Sequence, residues 1–245
     1  MQGCRVITYD RRGFGKSSKP WVGYNYDTLA ADLNILMTKL ALKNAVLVGF
    51  SMGGGEVARY LKVFGSRKVR KAVFISAIPP FLLKTADNPE GIDGMVFDGI
   101  KAALVADRPA FLAQFFSDFY NVDVCKGKRI SEEALRLSWN VAAGASPGGT
   151  LESVSAWLTD FRKDLSAITI PTLVVHGDSD RIVPINASGK LTHEAIEGSR
   201  FIVVKGGPHG LNWTHAPELN RALLDFLGQQ APERATRQTP AKRKR

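Results

Sequence analysis

Ala45-Val46-Leu47-Val48-Gly49-Phe50-Ser51-Met52-Gly53-Gly54-Gly55 is the stretch that decides the fold of this chain. Its opening apolar run reads as a short core strand, and the residues from Glu56 to Phe64 read as a helix. Between the two lies a G-x-S-x-G pentapeptide, Gly49 to Gly53. A serine on a sharp turn from strand to helix sits in a strained backbone conformation, and glycines two before and two after it keep the turn free of side-chain clashes. The hydroxyl of Ser51 is thereby presented above a helix N-terminus. The N–H groups there favour the negative charge that develops when a carbonyl is attacked, and the Met52 N–H is the natural first oxyanion donor. Glycine and serine are common, so the bare pentapeptide says little. The strand before it and the helix after it make Ser51 a candidate nucleophile rather than a structural turn residue.

Composition bounds what surrounds this turn. A chain of 245 residues, 44% hydrophobic and 23% charged, fits one globular domain, large enough to bury about 70–75% of its unfolded surface. Cys4 and Cys125 are the only cysteines and no H-E-x-x-H or C-x-x-C spacing occurs, so neither a disulfide framework nor a metal site is expected. No run of 18 apolar residues exists and Met1 to Arg5 lacks a signal pattern, which reads as a cytoplasmic protein without membrane contact. Half of the net charge of +10 falls in 231–245, where Arg234, Arg237, Lys242, Arg243, Lys244 and Arg245 face only Glu233. That segment reads as a disordered, solvated tail, and a nucleic-acid face inside the fold is not expected. Asp10 to Gly15 is a charged turn after a strand and lacks the G-K-[ST] of a phosphate loop.

Short apolar runs alternate with longer amphipathic ones: Val6 to Tyr9, then Thr28 to Leu42; Ala45 to Val48, then Gly55 to Phe64; then Val69 to Ser76. This alternation predicts an α/β fold with a mostly parallel sheet and helices on both faces. The pattern breaks at Pro79-Pro80 and resumes with Thr172 to Val175. The intervening segment is rich in aromatics, among them Phe97, Phe111, Phe115, Phe116, Phe119, Trp139, Trp157 and Phe161, and reads as a helical lid in which most rings form ordinary core. The predicted division is a core of 1–78 and 166–230, a lid of 79–165 and a tail of 231–245. The final unit is Phe201 to Val204, a glycine-rich turn, and a helix from Pro217 to Leu227.

A serine hydroxyl needs a base, and the base an orienting acid. Of the four histidines, His209 stands in Gly206-Gly207-Pro208-His209-Gly210, a turn just past the last strand. From there a side chain can reach across the strand ends. His176 ends a strand and reads as structural, His193 lies in a polar helix-like stretch, and His215 is placed to cap or pack. For the acid, His176 to Pro184 supplies Asp178 and Asp180. Asp178 is placed to cap its own turn, while Asp180 lies far enough on to cross the strand edge. The order Ser51, Asp180, His209 is that of the α/β-hydrolases. Met52, Trp139 and Trp157 are the candidate pocket residues, Met52 first because it adjoins Ser51.

Arg5 to Ser18 (RVITYDRRGFGKSS), Gly49 to Tyr60 (GFSMGGGEVARY), Pro79 to Pro89, His176 to Pro184 and Gly207 to Ala216 (GPHGLNWTHA) resemble the cofactor-free haloperoxidases. These are bacterial α/β-hydrolases also described as perhydrolases and esterases, and the likeness runs through nearly the whole chain up to the tail. The resemblance implies a triad at Ser51, Asp180 and His209, with no haem, vanadium or other metal as cofactor. It implies acyl transfer: an acyl-enzyme on Ser51 from an ester or short carboxylic acid, hydrogen peroxide in place of water in the second step, and a peracid that oxidises halide. The partners so implied are small molecules, with a homo-oligomer left open. Plain carboxylesterase activity and an inactive, hydrolase-like binding protein are the alternatives. The family carries three strands and a helix ahead of the Arg5 to Asp10 strand, the third ending in a His-Gly-x-x turn with the second oxyanion donor. Those first strands are absent here, so the expectation is either a longer working protein with Met1 as an internal start or a short protein of low activity; one lost donor lowers kcat by about 10²–10³.

Overall fold

In the computed structural model, which describes residues 3–228, strands β1 (Ala45–Phe50), β2 (Val69–Ile75), β3 (Thr172–Gly177) and β4 (Arg200–Val204) lie side by side, all parallel, in chain order. Helix α1 (Tyr26–Lys39) precedes β1 and α2 (Met52–Phe64) connects it to β2. Between β2 and β3 come α3 (Gly94–Phe119), α4 (Val122–Cys125), α5 (Glu132–Ala143), α6 (Pro147–Trp157) and α7 (Arg162–Leu165). A 3-10 turn (Ile185–Ala187) and α8 (Gly189–Ala195) lead to β4, and α9 (Leu211–Thr214) and α10 (Ala216–Leu227) follow it. The predicted tail of 231–245 lies outside the described residues.

The inner strands show why runs without alternation make this sheet. Ala72 and Phe74 of β2 and Val174 of β3 join one apolar cluster with Leu29, Leu33 and Val57 of α1 and α2. Val73, Ile75, Leu173 and Val175 join another with Leu219, Ala222 and Phe226 of α10. Successive strand side chains point to opposite faces, so a run that is apolar throughout requires cover on both. In α1 the buried residues are Tyr26, Leu29, Ala30, Leu33 and Met37, a single stripe, and Asn25 caps the helix by accepting from the Thr28 N–H at 2.9 Å. Burying each large apolar side chain contributes about 1.5–3 kcal/mol against about 1 kcal/mol for a cap, so packing holds α1 and the cap sets where it begins.

One predicted strand does not form. Residues 5–10 make no ladder, and Val6, Ile7 and Tyr9 are exposed. An apolar run becomes a strand only when a neighbour takes up its N–H and C=O groups, and no described strand lies beside this one. Side chains hold the segment instead. The Tyr9 hydroxyl and the Arg11 guanidinium both donate to the carboxylate of Glu56, a buried residue of α2. Lys16 N–H donates to the Asp10 carboxylate at 2.9 Å, and Ser17 Oγ donates to the Asp10 carbonyl at 2.6 Å.

The long helix α3 is bent. Asp107 leaves helical geometry (φ −154°, ψ 85°) just ahead of Pro109, whose missing N–H and ring preclude a straight continuation. The Asp107 carboxylate accepts from the Ala110 N–H at 3.0 Å and so starts a new helix. Arg108 then grips the end of α5 through the carbonyls of Ala142 (2.9 Å), Ala143 (3.2 Å) and Ala145 (3.1 Å), and Trp139 Nε1 donates to the Pro109 carbonyl at 3.1 Å. The second half of α3 therefore has a fixed heading. It carries a run of touching rings, Phe111, Phe115, Phe116 and Phe119, down toward the strand ends.

Candidate active site

Ser51 stands at the end of β1 with φ +54° and ψ −123°, a conformation that a non-glycine residue adopts only when its surroundings enforce it. The enforcement is visible at Gly49, where a Cβ would lie 2.4 Å from the Gly53 carbonyl oxygen and 2.7 Å from the Gly54 Cα. No side chain fits there, so the first turn of α2 folds tightly back over β1 and lifts the Ser51 hydroxyl clear.

His209 comes from the loop after β4. That loop is held against the end of β3, since Ser179 N–H donates to the Gly207 carbonyl at 3.1 Å and a Cβ on Gly177 would lie 2.0 Å from that same oxygen. Asp178 works within this turn, accepting from the Gly206 N–H at 2.6 Å and from Ser179 Oγ at 3.1 Å. The structure brings Ser51, His209 and Asp180 into one line: Ser51 Oγ to His209 Nε2 is 2.9 Å, and His209 Nδ1 to Asp180 Oδ2 is 2.8 Å. A carboxylate facing Nδ1 places the ring proton there and leaves Nε2 as the acceptor for the serine hydroxyl.

Asp180 is almost fully buried, as is His209. Its Oδ1 accepts from the backbone N–H groups of Ile182 (2.9 Å) and Val183 (2.8 Å). Burial on its own would raise the carboxyl group's pKa, but the charge of His209 and hydrogen bonds from His176 and His209 outweigh it and hold Asp180 well below the ordinary carboxylate range. An ionised Asp180 at 2.8 Å from Nδ1 can orient the imidazole.

Met52 is half-buried, opens α2, packs against the larger apolar cluster and accepts the Tyr26 hydroxyl on its carbonyl at 3.0 Å. Trp157 packs against that same cluster. Trp139 lines an open groove of about 290 Å³ made by residues of α3, α4, α5 and the adjoining loop, including Phe116, Lys126 and Arg136. His193 stacks on Phe201 and meets Ser199 Oγ at 2.7 Å; His215 is buried with Nδ1 2.9 Å from Thr214 Oγ1. Two residues absent from the sequence-level candidates do touch the site. The His209 ring lies 4.8 Å from the Phe119 ring and 5.1 Å from the Phe50 ring, so Phe119, one of the lid aromatics of which most read as ordinary core, stands beside the base. Phe50 could have been read from the G-x-S-x-G itself; Phe119 had no local signal. Among the described residues no group of three or more His, Cys, Asp or Glu is placed to hold a metal ion, and no helix is long and apolar enough to cross a membrane.

The alpha/beta hydrolase fold family model matches residues 1–216. A protein of Synechocystis sp. provisionally named a non-heme chloroperoxidase is 60% identical over 225 residues, covering 92% of this chain and 82% of its own. The bifunctional esterase/perhydrolase DCH of Acinetobacter calcoaceticus is 36% identical over 92% of this chain and 82% of its own length. Among solved structures, a bromoperoxidase from Bacillus anthracis superposes with a TM-score of 0.90 at 53% identity, covering 93% of this chain and 83% of that one.

Proposed function

The chain belongs to the alpha/beta hydrolase family, as an enzyme of its non-heme haloperoxidase and esterase type, and from that premise we propose that Ser51 carries out acyl transfer to water or to hydrogen peroxide. The observation that carries this reading is the unbroken line from Ser51 Oγ through His209 to Asp180, at 2.9 and 2.8 Å. Ser51 Oγ attacks the carbonyl of an ester or short carboxylic acid while His209 Nε2 takes its proton. The oxyanion faces the N-terminus of α2, where the Met52 N–H has no acceptor within the helix and serves as donor. His209 returns the proton to the leaving group, and an acyl-enzyme remains on Ser51. Peroxide, deprotonated by His209, then displaces the serine and leaves as a peracid; water in its place yields the carboxylic acid. The peracid transfers an oxygen atom to bromide or chloride, giving hypohalous acid and a carboxylate, and the hypohalous acid halogenates electron-rich organics in solution. The implied substrates are small molecules only.

The test is a pair of assays on one preparation: hydrolysis of p-nitrophenyl acetate, and bromination of an organic dye in acetate, bromide and peroxide. Both are expected, and Ser51→Ala abolishes both. Hydrolysis without bromination leaves a plain carboxylesterase, while bromination that survives Ser51→Ala refutes the serine mechanism.

A further inference from the structure

We propose that His176 is a positioning residue that holds the Asp180 carboxylate onto His209, an inference that rests on the role given to Asp180 above. The four lone-pair sites of that carboxylate are all accounted for. The Ile182 and Val183 N–H groups occupy Oδ1, while His209 Nδ1 and His176 Nε2 approach Oδ2 at 2.8 and 3.2 Å. His176 Nε2 also lies 2.8 Å from the Val183 carbonyl. Both of its neighbours are acceptors, so Nε2 bears a proton and divides it between them.

The other ring nitrogen supplies the second half of the argument. His176 is fully buried, and its Nδ1 has no hydrogen-bond partner. It stands against Gly189, where a Cβ would come within 2.5 Å of Nδ1. A proton on Nδ1 would be a buried donor without an acceptor, so the geometry assigns the ring proton to Nε2. Leucine would fill the same space without an unpaired ring nitrogen, but it would take the Nε2 donor away from the Val183 carbonyl and Asp180 Oδ2. A histidine whose Nδ1 goes unpaired is explained by what Nε2 does.

Mechanically the arrangement joins a rigid part to a loop. His176 belongs to β3, an inner strand, and pairs with Val203 of β4. Asp180 lies beyond the strand end at Gly177, in a loop without regular structure. A group on a strand fixes a loop carboxylate more closely than the loop alone does. The charged and polar groups facing the pair are His209, His176 and the two amides around Asp180, and Ser51 around His209, with Phe50 and Phe119 closing the apolar side.

The test compares His176→Leu, His176→Gln and Asp180→Asn in the full chain, reading kcat and KM for p-nitrophenyl acetate across the pH range in which histidine titrates. In His176→Leu, kcat is expected to fall about tenfold or more, as when the partner that orients an active group is lost, with KM within about twofold. Its acid limb moves to higher pH, because Oδ2 freed of one donor concentrates its charge on His209. His176→Gln, whose amide N–H reaches the place of Nε2, recovers most of kcat. A His176→Leu enzyme with wild-type kcat overturns the proposal, and so do Leu and Gln variants equally impaired with an unmoved acid limb, which is the signature of a merely structural residue. Should His176→Leu fail to fold, ring nitrogen NMR of the wild-type protein decides: a bare Nδ1 at neutral pH supports the proposal and a proton there overturns it. Asp180→Asn at wild-type activity sinks the role of Asp180 itself, whereas its expected loss beside an unimpaired His176→Leu sinks only this inference.

Discussion

Replacing Glu56 by Gln tests how the segment before α1 is attached to the helix that follows Ser51. The Glu56 side chain is 2% exposed, and it takes both the Arg11 guanidinium and the Tyr9 hydroxyl. Removing one partner of a buried ion pair costs about 3–5 kcal/mol, because the other charge is left uncompensated. Arg11 retains 28% of its side-chain exposure, so water recovers part of that cost. An expected loss of about 2–3 kcal/mol follows for Glu56→Gln. For a chain of this size each kcal/mol lowers Tm by about 2–4 °C, so thermal unfolding should shift by about 5–10 °C. The double variant Glu56→Leu with Arg11→Met removes both charges together and should recover most of the loss, since an apolar pair of similar volume replaces a buried ion pair at little cost. Melting curves of the three proteins, followed by circular dichroism at one pH and salt concentration, decide the matter. A Glu56→Gln shift under about 2 °C would refute the argument, as would a double variant less stable than the single one.

Asp180→Asn leaves the amide oxygen on the Ile182 and Val183 N–H groups and turns its NH₂ toward His209, which forces the wrong tautomer; kcat for ester hydrolysis should drop about 10⁴-fold with the melting temperature little changed. Gly49→Ala places a Cβ 2.4 Å from the Gly53 carbonyl oxygen, so the turn must open, and the variant should be recovered poorly folded or without activity in the acetate assay. Phe119→Ala removes the ring 4.8 Å from His209 and should change KM for esters of different acyl length by more than it changes kcat, as steady-state kinetics on an ester series would show. His215 is held below the ordinary histidine pKa by burial, and then by the charge of Arg129. The unfolded chain therefore binds that proton more readily, and stability should decline as pH falls through about 6.5. Melts of wild type and His215→Gln at neutral and mildly acid pH should show a flatter response in the variant.

What could be read from the sequence was what short stretches determine on their own. Gly49 to Gly53 states a turn, Gly206 to Gly210 states a loop, and the spacing of Asp178 from Asp180 separates a turn cap from a residue that reaches further; the structure sets Ser51, Asp180 and His209 within hydrogen-bonding distance of one another. What could not be read depended on distant partners. Val6 to Tyr9 has the composition of a strand, but strand formation lies in the ladder and not in the residues. Phe119 is one of several lid aromatics in sequence, and its place beside His209 follows from the bend at Asp107 and the grip of Arg108, neither of which leaves a periodic signature. His176 reads as structural from its place at a strand end; its approach to Asp180 depends on the course of the loop that follows.

The Arg108 grip also ties the outside of the lid to the surroundings of His209. The end of α5 and the far half of α3 are joined through the Ala142, Ala143 and Ala145 carbonyls and the Trp139–Pro109 bond, and that half-helix ends at Phe119, beside the His209 ring. A substitution on the outer surface of the lid that breaks the Arg108 bonds is therefore expected to alter the setting of Phe119 beside His209, while the sheet and the serine turn keep their sequence.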